Sequence, residues 1–207
     1  MGSDRVKVRV YGSAAADAEP SRFRHEIEAA VAGRAWMPRL PLLLICVYVF
    51  WRCANDPLYG GLIGGLNLGI HELGHFLWAP FGEFASVLGG SLTQCLAPVL
   101  AMVMFYRQRD IFAIAFAFCW LGTNFYGVAT YAEDAVVQQL NLVSPGSGDP
   151  IHDWGYILMR WGMLSKAAAF GDLFRTVGAL SFVVGIVGGA WVLRLMHKST
   201  RTEAAAA

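Results

Sequence analysis

Between Gly60 and Gly82 the chain reads GGLIGGLNLGIHELGHFLWAPFG, and inside this apolar run stand His71, Glu72 and His75. Residues four apart on a helix share one face, a turn apart, so both imidazoles can reach a single metal ion. Glu72, beside the first histidine, is placed to reach a water on that ion. This is the H-E-x-x-H pattern, whose mechanics are zinc plus a general base. Zinc lowers the pKa of a bound water to about 7, and Glu72 would take its proton and pass it to a leaving nitrogen. An ionisable group inside a membrane span costs a few kcal/mol, and one divalent cation would compensate three of them together. The alternatives are hydrogen bonds to neighbouring helices or a proton path.

A catalytic zinc takes three protein ligands and leaves a fourth position for water. The chain has five histidines, His25, His71, His75, His152 and His197. Candidates for the third ligand follow from the side of the membrane that each segment reaches. If the motif helix crosses the bilayer, it ends on the side where YAEDA and IHDW also lie. The order of preference for the third ligand is Asp134, then His152, then Glu133 or Asp153, and Asp134 and His152 can also share one site as ligand and orienting partner. His197 falls on the opposite side. Gly60, Gly61, Gly64, Gly65, Gly69 and Gly74 would let neighbouring helices approach closely. Glu83 reads as a loop carboxylate, and Gln94 follows early in the next helix.

The elements that must position these residues are apolar. Of the 207 residues 56% are hydrophobic and 15% charged, against about 25% charged in soluble domains, and the mean hydropathy is +0.47. The expected fold is an all-α, polytopic transmembrane bundle of about five spans, over 36–53, 59–80, 86–106, 111–131 and 176–196, each near the ~20 residues that cross a bilayer. Residues 1–35 form a polar N-terminal region, in which RVKVRVYG could be a short strand. The next stretch, SRFRHEIEAAVAGRAW, reads as an interfacial amphipathic helix with Phe23, Ile27, Ala30 and Val31 on its apolar stripe. Residues 36–198 make the transmembrane metalloenzyme domain, with a long connection over 132–175 containing an interfacial helix, and 199–207 a tail. The polar first forty residues argue against a cleavable signal.

With five spans, ten Lys/Arg lie on the side of the N-terminus and six on the other. Positive charge prefers the cytoplasm. The expected location is therefore an integral membrane protein, in a bacterial inner membrane, with the N-terminus and the zinc site toward the cytoplasm. The net charge of +1 offers no surface for nucleic acid. Cys46, Cys53, Cys95 and Cys119 lie in or beside apolar segments without paired spacing and read as small buried hydrophobes.

HELGH inside a membrane helix, with a later helix that brings an acidic residue, resembles the site-2 protease type of intramembrane zinc metalloprotease. The resemblance covers about 59–135. It implies a third ligand from an aspartate in an L-D-G motif with an asparagine upstream, roles that Asp134 and Asn124 would fill here, although this chain reads YAEDA and has neither L-D-G nor N-x-x-P. Asn124 could donate to a developing oxyanion or make an interhelical hydrogen bond. The expected function is hydrolysis of peptide bonds in a membrane or juxtamembrane protein or peptide substrate. The substrate helix must unwind, because its carbonyls are otherwise held in hydrogen bonds. Two rivals stand beside it: a metal-dependent hydrolase of lipids or lipid-linked amides, and a non-catalytic metal-binding membrane protein in which Glu72 is expendable.

Overall fold

The computed structural model describes residues 22–141 and 151–206. Every regular element among them is helical: α1 (Arg22–Val31), α2 (Leu40–Asn55), α3 (Gly64–Trp78), α4 (Glu83–Arg107), α5 (Ile111–Glu133), α6 (Asp153–Arg160) and α7 (Ala167–Ala206), with three short 3-10 turns. The possible strand RVKVRVYG lies outside the described residues.

Four helical stretches among the described residues are long and apolar enough to cross a membrane: Met37–Asn55, Glu83–Arg107, Ile111–Glu133 and Leu164–Arg201. They turn large apolar side chains outward, among them Leu44, Leu100 and Val187, a surface compatible with lipid contact. The span expected over 59–80 is absent from this set. Its helix, α3, has only 15 residues, about 22 Å of rise against a hydrocarbon core of about 30 Å. Tyr59–Ile63 stays irregular, with Gly61 at φ +66°.

The contacts of α3 show why it is short. Just after α2, the carbonyl of Pro57 accepts from Thr130 Oγ near the end of α5 (2.8 Å). The segment then descends, so that Asn67 meets Thr123 (3.1 Å) and Trp120 (2.8 Å) further into α5. It climbs back to the first turn of α4, where Ser86 Oγ donates to the carbonyl of His75 (2.9 Å). The starts of α4 and the end of α5 lie at one end of the bundle, since Gln94 reaches Asn124 and the α6 residues Asp153 and Trp154 bond to Tyr131 and Ser91. The motif segment therefore enters and leaves at the same end of the bundle. It is a re-entrant helix, with Gly82 (φ +101°) turning the chain into α4.

The remaining departures follow from packing. The apolar stripe of α1 meets protein where the lipid interface was expected: Ile27 and Val31 are buried with Leu43, Phe112, Val192 and Met196. The final helix begins nine residues before the expected 176, and its added turns bring Phe170 and Phe174 onto Trp154 of α6. The helix inside the long connection is likewise a core element, with Trp154, Ile157 and Leu158 almost fully buried.

A candidate metal centre in the re-entrant helix

His71, His75 and Asp153 come together, with one potential ligand atom from each lying within 4.8 Å of the others. Asp153 Oδ2 stands 2.9 Å from His71 Nε2 and 3.4 Å from His75 Nε2. Donor atoms at 2.0–2.2 Å around a tetrahedral ion lie about 3.3 Å apart, and the two spacings to Asp153 are close to that value. His71 and Asp153 are 7% and 4% exposed.

The outer bonds decide which nitrogens face the centre. His75 Nδ1 is 2.9 Å from the carbonyl of Ser86. A carbonyl only accepts, so Nδ1 carries a proton, and Nε2 presents a lone pair in the neutral ring. Without a cation the Asp153 carboxylate beside Nε2 pushes the imidazole up to about 9, so that Nε2 is protonated and donates to it. His71 Nδ1 is 2.7 Å from Gln94 Oε1. The Gln94 amide is held in that sense because its Nε2 donates to the main-chain carbonyl of Asn124 (3.3 Å). His71 thus also donates from Nδ1 and, when neutral, turns a lone pair inward. Burial pushes the Asp153 carboxyl up, but its contacts with His71 and His75 outweigh this and hold it below the usual carboxylate range. Those contacts are hydrogen bonds from imidazole to carboxylate in the absence of an ion; if a cation displaces the Nε2 protons, three electron-pair donors converge on one buried point.

Glycines let the elements meet there. A Cβ on Gly90 would stand 2.6 Å from His71 Nε2 and 2.8 Å from the Cε1 atoms of both histidines. A Cβ on Gly74, inside the motif, would collide with the backbone of Gly89 and Gly90. By contrast Gly60, Gly64, Gly65 and Gly69 have open space where a Cβ would go, so close packing belongs to the motif's own glycine and not to the whole stripe.

Asp134 and His152, the preferred third ligands, pair with each other beside the histidine cluster and are not part of it. Asp134 accepts the main-chain N–H groups of Gln139 (2.9 Å) and Leu140 (3.0 Å). Its Oδ2 lies 3.2 Å from His152 Nε2. His152 Nδ1 accepts from Gly155 N (3.0 Å), capping α6, so Nε2 carries the proton and donates to Asp134. Burial pushes the Asp134 carboxyl up, while the two N–H groups and His152 outweigh it and hold it below the usual range. The pair's bonding is complete, and its effect is to fix the first turn of α6, where Asp153 sits. Glu133 is engaged bidentately by Arg175 (2.6 and 2.6 Å).

Glu72 and the three clustered residues line one cavity of about 510 Å³, together with Asn67, Tyr131 and other residues of α3, α4 and α5. Glu72 Oε2 is buried without a hydrogen-bond partner among the described residues. Asn124 is not at the cavity wall. Its amide nitrogen donates to the Trp120 carbonyl one turn earlier in α5 (3.1 Å), and it is 1% exposed; the bond to a neighbouring helix is made by its main-chain carbonyl, which accepts from Gln94. Glu83 opens α4 as an exposed first-turn carboxylate. Sequence reasoning passed over Ser86 and Tyr131. Ser86 acts through its main chain, which carries no residue signature. The Tyr131 hydroxyl accepts from Asp153 N (3.0 Å), a contact across 22 residues.

Comparison with family models, curated proteins and solved structures yields no match to this chain.

Proposed function

We propose that the chain is a membrane-embedded zinc metalloprotease of the HExxH type, resembling the site-2 proteases in its motif and departing from them in its third ligand. The observation that carries this reading is Glu72: a buried carboxylate oxygen without a partner, on the wall of the cavity shared by His71, His75 and Asp153. A structural carboxylate at that depth would be paired. A general base needs a free oxygen facing the reaction space.

Two imidazoles and a carboxylate, each imidazole fixed by an outer acceptor, suit zinc in a catalytic site. Zinc bound there supplies a Lewis acid for the scissile carbonyl and acidifies water. Glu72 takes a proton from the attacking water as the carbon–oxygen bond forms. It returns that proton to the amide nitrogen as the carbon–nitrogen bond breaks. Gln94 and Ser86 hold the imidazoles in place throughout, and Asp153 would supply the third ligand. The substrate is a membrane or juxtamembrane protein segment, unwound over the few residues that enter. The protein belongs in this reading to a bacterial inner membrane, with its N-terminus cytoplasmic.

The test uses the full chain purified in detergent. Elemental analysis is expected to give about one zinc per chain, and unstructured casein is expected to be cleaved. Glu72→Gln should keep the zinc and lose cleavage by about 10²–10⁴-fold. A Glu72→Gln protein that cleaves casein as well as the parent would sink the hydrolase reading.

A further inference from the structure

The re-entrant course of α3 changes which side of the membrane the cavity faces. With four spans, the connection after α2, the start of α4, the end of α5 and the α6 region share one end of the bundle. The N-terminal helix α1, the turn between α4 and α5, and the end of α7 share the other, as the buried cluster of Ile27, Val31, Phe112 and Met196 shows. Arg34 and Arg39 reach Asp110 in that turn (2.9 and 3.6 Å), which ties the N-terminal side to the same end.

Lys and Arg divide unevenly between these ends. Among the described residues Arg52, Arg160, Lys166 and Arg175 lie toward the cavity end, and the other nine Lys and Arg lie toward the α1 end. Arg5, Lys7 and Arg9 are further than about 20 residues from a span and do not enter the tally, so nine face four. The tally is steeper than the ten-to-six split of a five-span chain, and in this arrangement it separates the cavity from the N-terminus.

From this we infer that the cavity opens on the extracytoplasmic face, opposite the N-terminus. The consequence for substrate class rests on the hydrolase reading: the chain cut is an extracytoplasmic juxtamembrane segment or the outward end of a membrane helix, not a cytoplasmic one. Entry is from that side as well, because Asp56, Tyr59 and Asn141, which line the cavity, belong to the connections at that end. Such a substrate must reach a site that lies below the α6 layer, so it enters extended.

Cysteine labelling of the full-length protein in intact cells tests the arrangement. In a background with the four native cysteines replaced, Val137→Cys marks the cavity end and Gln108→Cys the α4–α5 turn; both positions are exposed. A membrane-impermeant maleimide should label Val137→Cys in intact spheroplasts and Gln108→Cys only after permeabilisation. The opposite pattern, or equal labelling of both positions in intact spheroplasts, overturns the inference. Labelling of both only after permeabilisation would overturn the four-span course itself. These outcomes are read without zinc or proteolysis, so they stand apart from the Glu72→Gln test: an inactive parent protein would remove the substrate assignment and leave the orientation.

Discussion

Two buried histidine–aspartate contacts lie close together in this molecule and are wired in opposite senses. At His152–Asp134 every polar atom that matters has a complementary partner. The imidazole accepts at one nitrogen and donates at the other, and the carboxylate collects two main-chain N–H groups. At His71, His75 and Asp153 the imidazoles spend their protons outward on Gln94 and Ser86. What remains inside, once the rings are neutral, is three lone-pair donors, and without a cation the inner contacts are hydrogen bonds to Asp153. A histidine beside a carboxylate is therefore not by itself a metal ligand. The direction of the ring's other hydrogen bond separates a helix cap from a ligand.

Substitutions at the two carboxylates should break this comparison most sharply. Asp153→Ala removes a ligand. Zinc-site energies of roughly 10–16 kcal/mol shared over four ligands imply about 3 kcal/mol each, so competition with a chelator should show zinc affinity reduced about a hundredfold or more. Asp134→Ala leaves the N–H groups of Gln139 and Leu140 and the His152 ring without their acceptor. Its expected cost is about 2 kcal/mol of stability, read by chemical denaturation, with the zinc affinity reduced far less than for Asp153→Ala. Because Asp134 is held below its ordinary value, its stabilising contribution is present above that value and fades as pH falls through the folded one. A Asp134→Asn protein should lack that acid-side loss.

The glycines beside each pair sharpen the comparison with smaller effects. Gly90→Ala presses a methyl against His71 Nε2 and should weaken zinc binding by about 10-fold or more, as disturbing ligand support does. A cobalt-substituted protein would report the distortion in its visible spectrum. Gly155→Ala would meet Gln138 Nε2 at 2.9 Å, the Ala135 carbonyl oxygen at 3.3 Å and His152 Nδ1 at 3.4 Å. The first is the end of a flexible side chain that can move, so stability should change by less than about 1 kcal/mol and the zinc content not at all. Equal effects at the two glycines would erase the distinction drawn between the pairs.

The local part of the site was legible in the residues. His71, Glu72 and His75 lie within five positions, and helical periodicity alone puts both imidazoles on one face. The helical class and four apolar spans were legible for the same reason, since backbone hydrogen bonding in lipid leaves few other choices. Length misled at 59–80, because an apolar run long enough to cross need not cross when its first residues are glycine-rich and irregular. The assumed crossing then favoured Asp134 as the third ligand and put the N-terminus and the motif on one side.

Asp153 lies 82 residues beyond His71, and nothing in IHDW distinguishes the residue that joins the histidine cluster from its neighbour His152. The hydrogen-bond directions of Gln94, Ser86, Gly155 and Leu140 make that distinction, and all of them are set by how α3, α4 and α6 pack. The sequence by itself determined the helices, the paired imidazoles and the carboxylate adjacent to them, because these depend on short-range periodicity and on transfer from water. Only the tertiary structure decided the third carboxylate, the outward protons of the histidines and the re-entrant course of the motif helix. Those depend on contacts between segments far apart in the chain, which no local pattern encodes.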